Sequence, residues 1–170
     1  MNLKLITFTC IILICSCTAS TRLAKDKNRK TGAVVKSVHL DAGWHKIAYQ
    51  GYQSAYKETM YECQLYSCDS AVRERKLADI PAGGRVIIYL SAATPEECTP
   101  GNFDYVVKDA GGNVIKACSG DAASVPSYIH NAWQDIDAFD IPQPVTYPFS
   151  VFLINKLDNS RSEFLVKSGN

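Results

Sequence analysis

Three histidines, His39, His45 and His130, are the side chains whose ordinary pKa lies nearest neutrality, and their spacing suits catalysis poorly. His39 and His45 flank "LDAG", so a bend would bring them together with Asp41 between them. A zinc site needs three or four converging ligands. This segment offers two imidazoles and one carboxylate, and partly exposed strand histidines are the simpler reading. No G-x-S-x-G elbow is present for a nucleophilic serine. Ser124 and Ser127 lie near His130 without a positioned acid. "PAGGR" and "DAGGN" lack the strand–loop–helix setting of a phosphate loop. Asp135, Asp137 and Asp140, with Asp121 upstream, could offer oxygens to calcium, the metal this chain suits best. Because they alternate with Trp133, Ile136 and Phe139, the competing expectation is that Asp135 and Asp137 form the wet face of a strand. No cofactor is expected.

The seven cysteines fall into two groups. Cys10, Cys15 and Cys17 close an apolar N-terminal run. Cys63, Cys68, Cys98 and Cys118 lie in the body, and an even number in an exported chain reads as disulfides. Of the three connectivities, Cys63–Cys68 with Cys98–Cys118 keeps partners within neighbouring turns and strands. Zinc competes, but the spacing is not CxxC and no histidine stands beside either pair.

Tyr49, Tyr52, Tyr56, Tyr61 and Tyr66 crowd one region, interleaved with Gln, Ser, Lys and Glu. Flat rings beside polar groups suit sugar or protein recognition. Tyr49, Tyr52 and Tyr56, with Trp44 and Trp133, are the candidate binding residues. The alternative is that every second tyrosine packs in the core with its hydroxyl at the edge.

The N-terminus "MNLKLITFTCIILICSC" carries one charge, Lys4. Its strongly apolar part, Leu5 to Cys15, is shorter than the ~20 residues of a bilayer span. A short basic start and a short apolar run describe a secretion signal. Cys17-Thr18-Ala19 would serve ordinary cleavage after Ala19 and release a soluble protein; an uncleaved membrane anchor is a third possibility. The stretch "ICSC", Ile14 to Cys17, resembles the lipobox of bacterial lipoproteins, although Cys15 departs from the usual small residue. The resemblance covers about the first 20 residues. It implies cleavage before Cys17, acylation of that thiol and, because Thr18 is not Asp, an outer-membrane address. Burial of each CH₂ contributes about 0.8 kcal/mol, so several chains anchor stably where one does not.

Removing residues 1–16 takes away Lys4 alone among the charged residues, leaving 17 basic against 17 acidic side chains. Residues 17–33 read as a lipidated start and a flexible basic linker, with Arg22, Lys25, Lys27, Arg29 and Lys30 against Asp26. It would reach roughly 20 Å, and its cations could lie on anionic headgroups. A solvated spacer is the alternative. The domain that follows, residues 34–170, is mildly acidic, which argues against nucleic acid as a partner.

What must position these residues is mostly strand. "AVVKSVHL", "WHKIAY" and "TMYECQLY" favour β-structure, the latter two alternating with period two; "RVIIYLSA" reads as a central strand. Phe103–Lys108 and Val114–Ser119 flank a glycine-bearing turn and form the clearest hairpin. "DIDAFDIP", "YPFSVFLIN" and "SEFLVKS" follow, the last two joined by "NKLDNS". Helical signals are scarce: a short helix around Gln53 to Glu58, and at most one turn in "SVPSYIHNAWQ". The expected fold is all-β, a single jelly-roll-like sandwich of about eight strands with at most one or two short helices. From Ile80 onward the order of "IPAGG", "FDYVVKDAGGNVI", "FDIPQP", "YPFSVFLIN" and "SEFLVK" is similar to the pre-peptidase C-terminal type of bacterial β-sandwich domain. That resemblance implies a non-catalytic module, and some such modules bind carbohydrate or protein. It leaves residues 34–79 unexplained.

The expectation is therefore a non-enzymatic envelope lipoprotein, membrane-held through Cys17, that binds or scaffolds a protein or envelope glycan. Two rivals remain: a periplasmic inhibitor or immunity-type lipoprotein presenting a disulfide-braced loop from Thr94 to Asn102, and a small secreted hydrolase using His39 or His130.

Overall fold

The computed structural model describes residues 24–27 and 34–38 as backbone and residues 45–168 in full. Residues 1–16, Cys17, His39, Asp41 and Trp44 lie outside the described residues. The chain runs β1 (Ala24–Lys27), β2 (Val34–Val38), β3 (Lys46–Gln50), α1 (Tyr52–Leu65), α2 (Ser70–Ala78), β4 (Arg85–Ala92), β5 (Phe103–Lys108), β6 (Val114–Ser119), β7 (Ser127–Ile129), β8 (Ala132–Asp140), β9 (Phe149–Asn155) and β10 (Arg161–Lys167).

A six-stranded sheet has the order β1-β2-β10-β9-β5-β6, and a four-stranded sheet the order β3-β4-β8-β7. All pairings are antiparallel. Alternate residues of β4, β5 and β10 face the opposite sheet. Val86, Ile88 and Leu90 of β4 meet Phe103, Tyr105 and Val107 of β5, Val151 and Leu153 of β9, and Phe164 and Val166 of β10 in one core. Fully burying such a side chain contributes about 1.5–3 kcal/mol, and this shared burial holds the two sheets together. The all-β sandwich read from the sequence is the observed architecture. Its ten strands exceed the expected eight because β1 forms within the supposed linker and because β7 is added at an edge.

The two expected hairpins are present. In the β5–β6 turn, Asp109 Oδ1 accepts from the Asn113 backbone N–H at 2.8 Å and Oδ2 from the Asn113 amide at 2.9 Å, while Gly112 takes φ +84°. In the β9–β10 turn, Asn159 takes φ +60° and Asp158 accepts from the Ser160 N–H at 2.8 Å.

Two readings of the sequence are corrected. "TMYECQLY" is no strand: the helix expected over Gln53 to Glu58 runs through it as α1, Tyr52–Leu65. The alternation from Met60 to Tyr66 coexists with a second spacing, in which Tyr52, Tyr56, Met60 and Cys63 recur at three to four residues. With β4 occupying the strand position beside β3, the second period prevails. Residues 69–79 hold a helix that periodicity did not show. Asp69 caps α2 by accepting from the Val72 N–H at 2.7 Å, ahead of good helix formers and the basic pair Arg75 and Lys76 in the last turn. The stretch "SVPSYIHNAWQ" holds no helical turn; it forms β7, a left-handed corner at His130 and Asn131, and the start of β8.

Candidate binding groove

The helical hairpin α1–α2 is inserted between β3 and β4, neighbouring strands of the four-stranded sheet. It stands beside the outer face of that sheet and leaves a groove of about 650 Å³. Ile87 and Tyr89 of β4 and Ala48 of β3 form the floor; Glu58, Thr59 and Glu62 of α1 and Lys76 of α2 form the far wall. Strand alternation explains the floor: Val86 and Ile88 point into the core, so Arg85, Ile87 and Tyr89 must point outward.

The groove's charged walls are largely self-paired. The Gln50 amide donates to Glu58 Oε2 at 2.6 Å. Lys76 Nζ lies 3.7 Å from Glu62 Oε2 and ties the two helices. Arg85 Nε and Nη2 donate to the two oxygens of Asp140 at 2.6 and 3.2 Å. That fork raises the Arg85 pKa above its ordinary value.

The end of the groove nearest Pro81 is rigid for a steric reason. The Tyr49 hydroxyl donates to the Gly83 carbonyl at 2.7 Å. A Cβ on Gly83 would lie 2.1 Å from the Gln143 carbonyl oxygen, and Gly84 sits at φ +82°. Burial, with Tyr147 beside it, pushes the Tyr49 phenol well above its usual pKa, so it stays a donor.

The residues singled out in the sequence separate. Tyr49 is only 3% exposed and belongs to the core. Tyr52 and Tyr56 stand one turn apart on α1 with ring centroids 6.3 Å apart, and both are exposed. Trp133 is half-buried against the core beside Tyr128, at 5.4 Å between centroids.

Asp135, Asp137 and Asp140 do not converge. The first two share the inward register of Trp133 and Phe139, correcting the wet-face expectation. Asp137 accepts from the Tyr105 hydroxyl at 2.9 Å and from the Asp121 N–H at 3.2 Å, and Asp135 from the Ser124 hydroxyl at 2.8 Å. Asp140 faces outward to Arg85. Among the described residues no group of three His, Cys, Asp or Glu side chains could hold a metal. His45 packs edge-on against Phe103 at 5.3 Å, and His130 occupies the exposed β7–β8 corner.

The expected disulfide framework is not formed: Cys63, Cys68, Cys98 and Cys118 are all free thiols. Cys63 and Cys68 nonetheless line the same cleft, and the Cys68 side chain is the main cause of the raised Cys63 pKa. A Schellman ending of α1 brings them together. Ser67 takes φ +50°, and the Cys68 N–H donates back to the Cys63 carbonyl at 2.9 Å. Cys98 is buried, and its thiol donates to the Thr94 and Pro95 carbonyls at 3.6 and 3.5 Å, so it is turned to its own loop and not to Cys118. The same loop, expected to project, is packed down: Thr99 Oγ1 donates to the Pro95 carbonyl and the Asn102 amide to the Glu96 carbonyl, each at 2.8 Å.

Glu58, Glu62, Lys76, Arg85 and Tyr89 did not stand out in the sequence. The legible signals were the outward parity of Arg85, Ile87 and Tyr89 on a strand already recognised, and Asp69 as a helix cap.

Fold and site together define a class: an all-β sandwich with a helical hairpin inserted at the outer face of its smaller sheet. Searches of known protein families, of curated proteins and of solved structures returned no match.

Proposed function

We propose that the protein is a bacterial envelope lipoprotein, anchored at the outer membrane through acylated Cys17, whose sandwich is a non-catalytic module binding envelope glycan in the groove between the hairpin and β3–β4. The observation that carries the binding reading is the groove's chemistry. Its charged walls are engaged in Gln50–Glu58, Lys76–Glu62 and Arg85–Asp140 contacts. What they present is hydrogen-bonding capacity around the exposed Tyr89 ring. A neutral, hydroxyl-rich chain matches that surface, because an aromatic face covers a sugar ring while carboxylates and amides take its hydroxyls. The anchoring reading rests on the lipobox-like Ile14–Cys17.

Two measurements test the halves separately. Intact-mass spectrometry of the membrane fraction should show acyl mass on a chain beginning at Cys17, and Cys17→Ser should leave the membrane; an unmodified chain beginning at Ser20 would overturn the anchor. Purified peptidoglycan sacculi should retain the protein in sedimentation, and Tyr89→Ala with Glu58→Ala should lower retention about tenfold. Undiminished retention, or none by the parent protein, would overturn the groove.

A further inference from the structure

The opposite side of the hairpin carries a second cleft, of about 710 Å³, between α1 and α2. Tyr56, Met60 and Tyr61 line it from α1, the Cys63 and Cys68 thiols lie at the hairpin's closed end, and Lys57 and Arg73 stand on the two helices. No carboxylate lines this cleft, whereas Glu58, Glu62 and Asp79 all line the groove. Among the described residues neither Lys57 nor Arg73 is in an ion pair, although Lys76, Arg85 and Lys156 are. Of the hairpin side chains that line the two cavities, every carboxylate is on the groove side, and Lys57 and Arg73 stand by an aromatic and thioether surface on the far side.

We propose that this cleft docks an acidic segment of a partner protein, with an apolar side chain seated against Tyr56, Met60 and Tyr61 and flanking carboxylates on Lys57 and Arg73. Charge complementarity selects an anion. The apolar lining selects one that carries a hydrophobic anchor, and methionine and tyrosine are the side chains that adapt to such anchors. A peptide is favoured over a lipid surface because a cleft of about 710 Å³ between two helices seats one apolar side chain with a cation on either helix, whereas a bilayer presents a plane of headgroups. This site is independent of the glycan groove and lets one domain hold two partners on opposite sides of one hairpin.

The test is fluorescence anisotropy of the full chain with a fluorescein-labelled, end-blocked peptide in which glutamates flank a leucine, and with its lysine-for-glutamate counterpart. The acidic peptide should bind saturably, weaken as salt rises, and lose about tenfold in affinity to K57E/R73E, while Tyr89→Ala in the groove leaves it unchanged. K57Q/R73Q, which removes both charges without reversing them, should give an intermediate loss and guards against misfolding, checked by circular dichroism. No binding by the parent protein, equal binding of the lysine peptide, or full affinity in both double variants would overturn the proposal. So would Lys57- and Arg73-dependent cosedimentation with phosphatidylglycerol vesicles in the absence of peptide binding, which would assign the two cations to a lipid surface.

Discussion

The hydroxyl of Tyr105, on β5 of the six-stranded sheet, donates a 2.9 Å hydrogen bond to the carboxylate of Asp137, on β8 of the four-stranded sheet. It is a polar link at the margin of a largely apolar interface. The Tyr105 ring also stacks on Phe139 at 5.4 Å, so packing and hydrogen bond act on the same pair of strands. Burial first, and the Asp137 charge second, push the Tyr105 phenol far above its usual pKa, which keeps it protonated and donating.

Tyr105→Phe should therefore lower stability by about 1.5 kcal/mol while leaving the fold intact, because the ring and its stacking survive. Asp137→Ala should cost more, since it also strands the Asp121 N–H. Urea midpoints of both variants and of the double variant check this; an additive double variant would show that the two groups are not coupled.

Gly83 tests the rigidity of the groove's end. Any Cβ there meets the Gln143 and Ile141 carbonyl oxygens at 2.1 and 2.7 Å. Gly83→Ala should destabilise by about 3 kcal/mol, whereas Gly112→Ala, with nothing within 4 Å of the added carbon, carries only the strain of φ +84°. Thermal unfolding that ranks the two in the opposite order would contradict the packing described.

The thiols should separate by reactivity. Burial pushes Cys98 up to about 11, and its side chain is 0% exposed, so it should be the slowest to alkylate in the native protein. Oxidised glutathione should convert the adjacent Cys63 and Cys68 thiols to a disulfide, releasing two molecules of reduced glutathione for each bond formed. Peptide mapping after quenching reads the linkage. A Cys98–Cys118 bridge appearing first would contradict the geometry.

The acid limb of stability should reflect the two turn aspartates. Hydrogen bonds from Asn113 hold Asp109, and those from Ser160 hold Asp158, below the ordinary carboxylate range. A depressed folded-state pKa gives stabilisation that is complete above the unfolded value of about 3.9 and is lost as pH falls through the lower folded value. The thermal midpoint should thus be level on this account at neutral pH and fall below about pH 4. Asp109→Ala with Asp158→Ala should flatten that fall; an unchanged acid limb would show that other groups set it.

What the sequence determined by itself was whatever short-range physics controls. The apolar β-formers of "RVIIYLSA" and the β-rich "FDYVVK" assigned those segments to strands, and "DAGGN" and "NKLDNS" carried the turn residues that close hairpins. Pairing Asp137 with Tyr105 across 32 residues is a different matter, as is turning "TMYECQLY" into helix. Two periodicities coexisted there, and only the occupancy of the sheet beside β3 chose between them. The groove is likewise invisible to local reading. It exists because β3 and β4 pair while the residues between them cannot enter the sheet, so the hairpin is displaced onto its outer face. Tertiary structure decided the thiols too: a five-residue spacing with αL geometry at Ser67 brings Cys63 to Cys68. The carbonyls of Thr94 and Pro95 turn Cys98 toward its own loop. Side-chain alternation and turn propensity act over a few residues and can be read along a line, whereas burial and pairing depend on which distant segments share a surface.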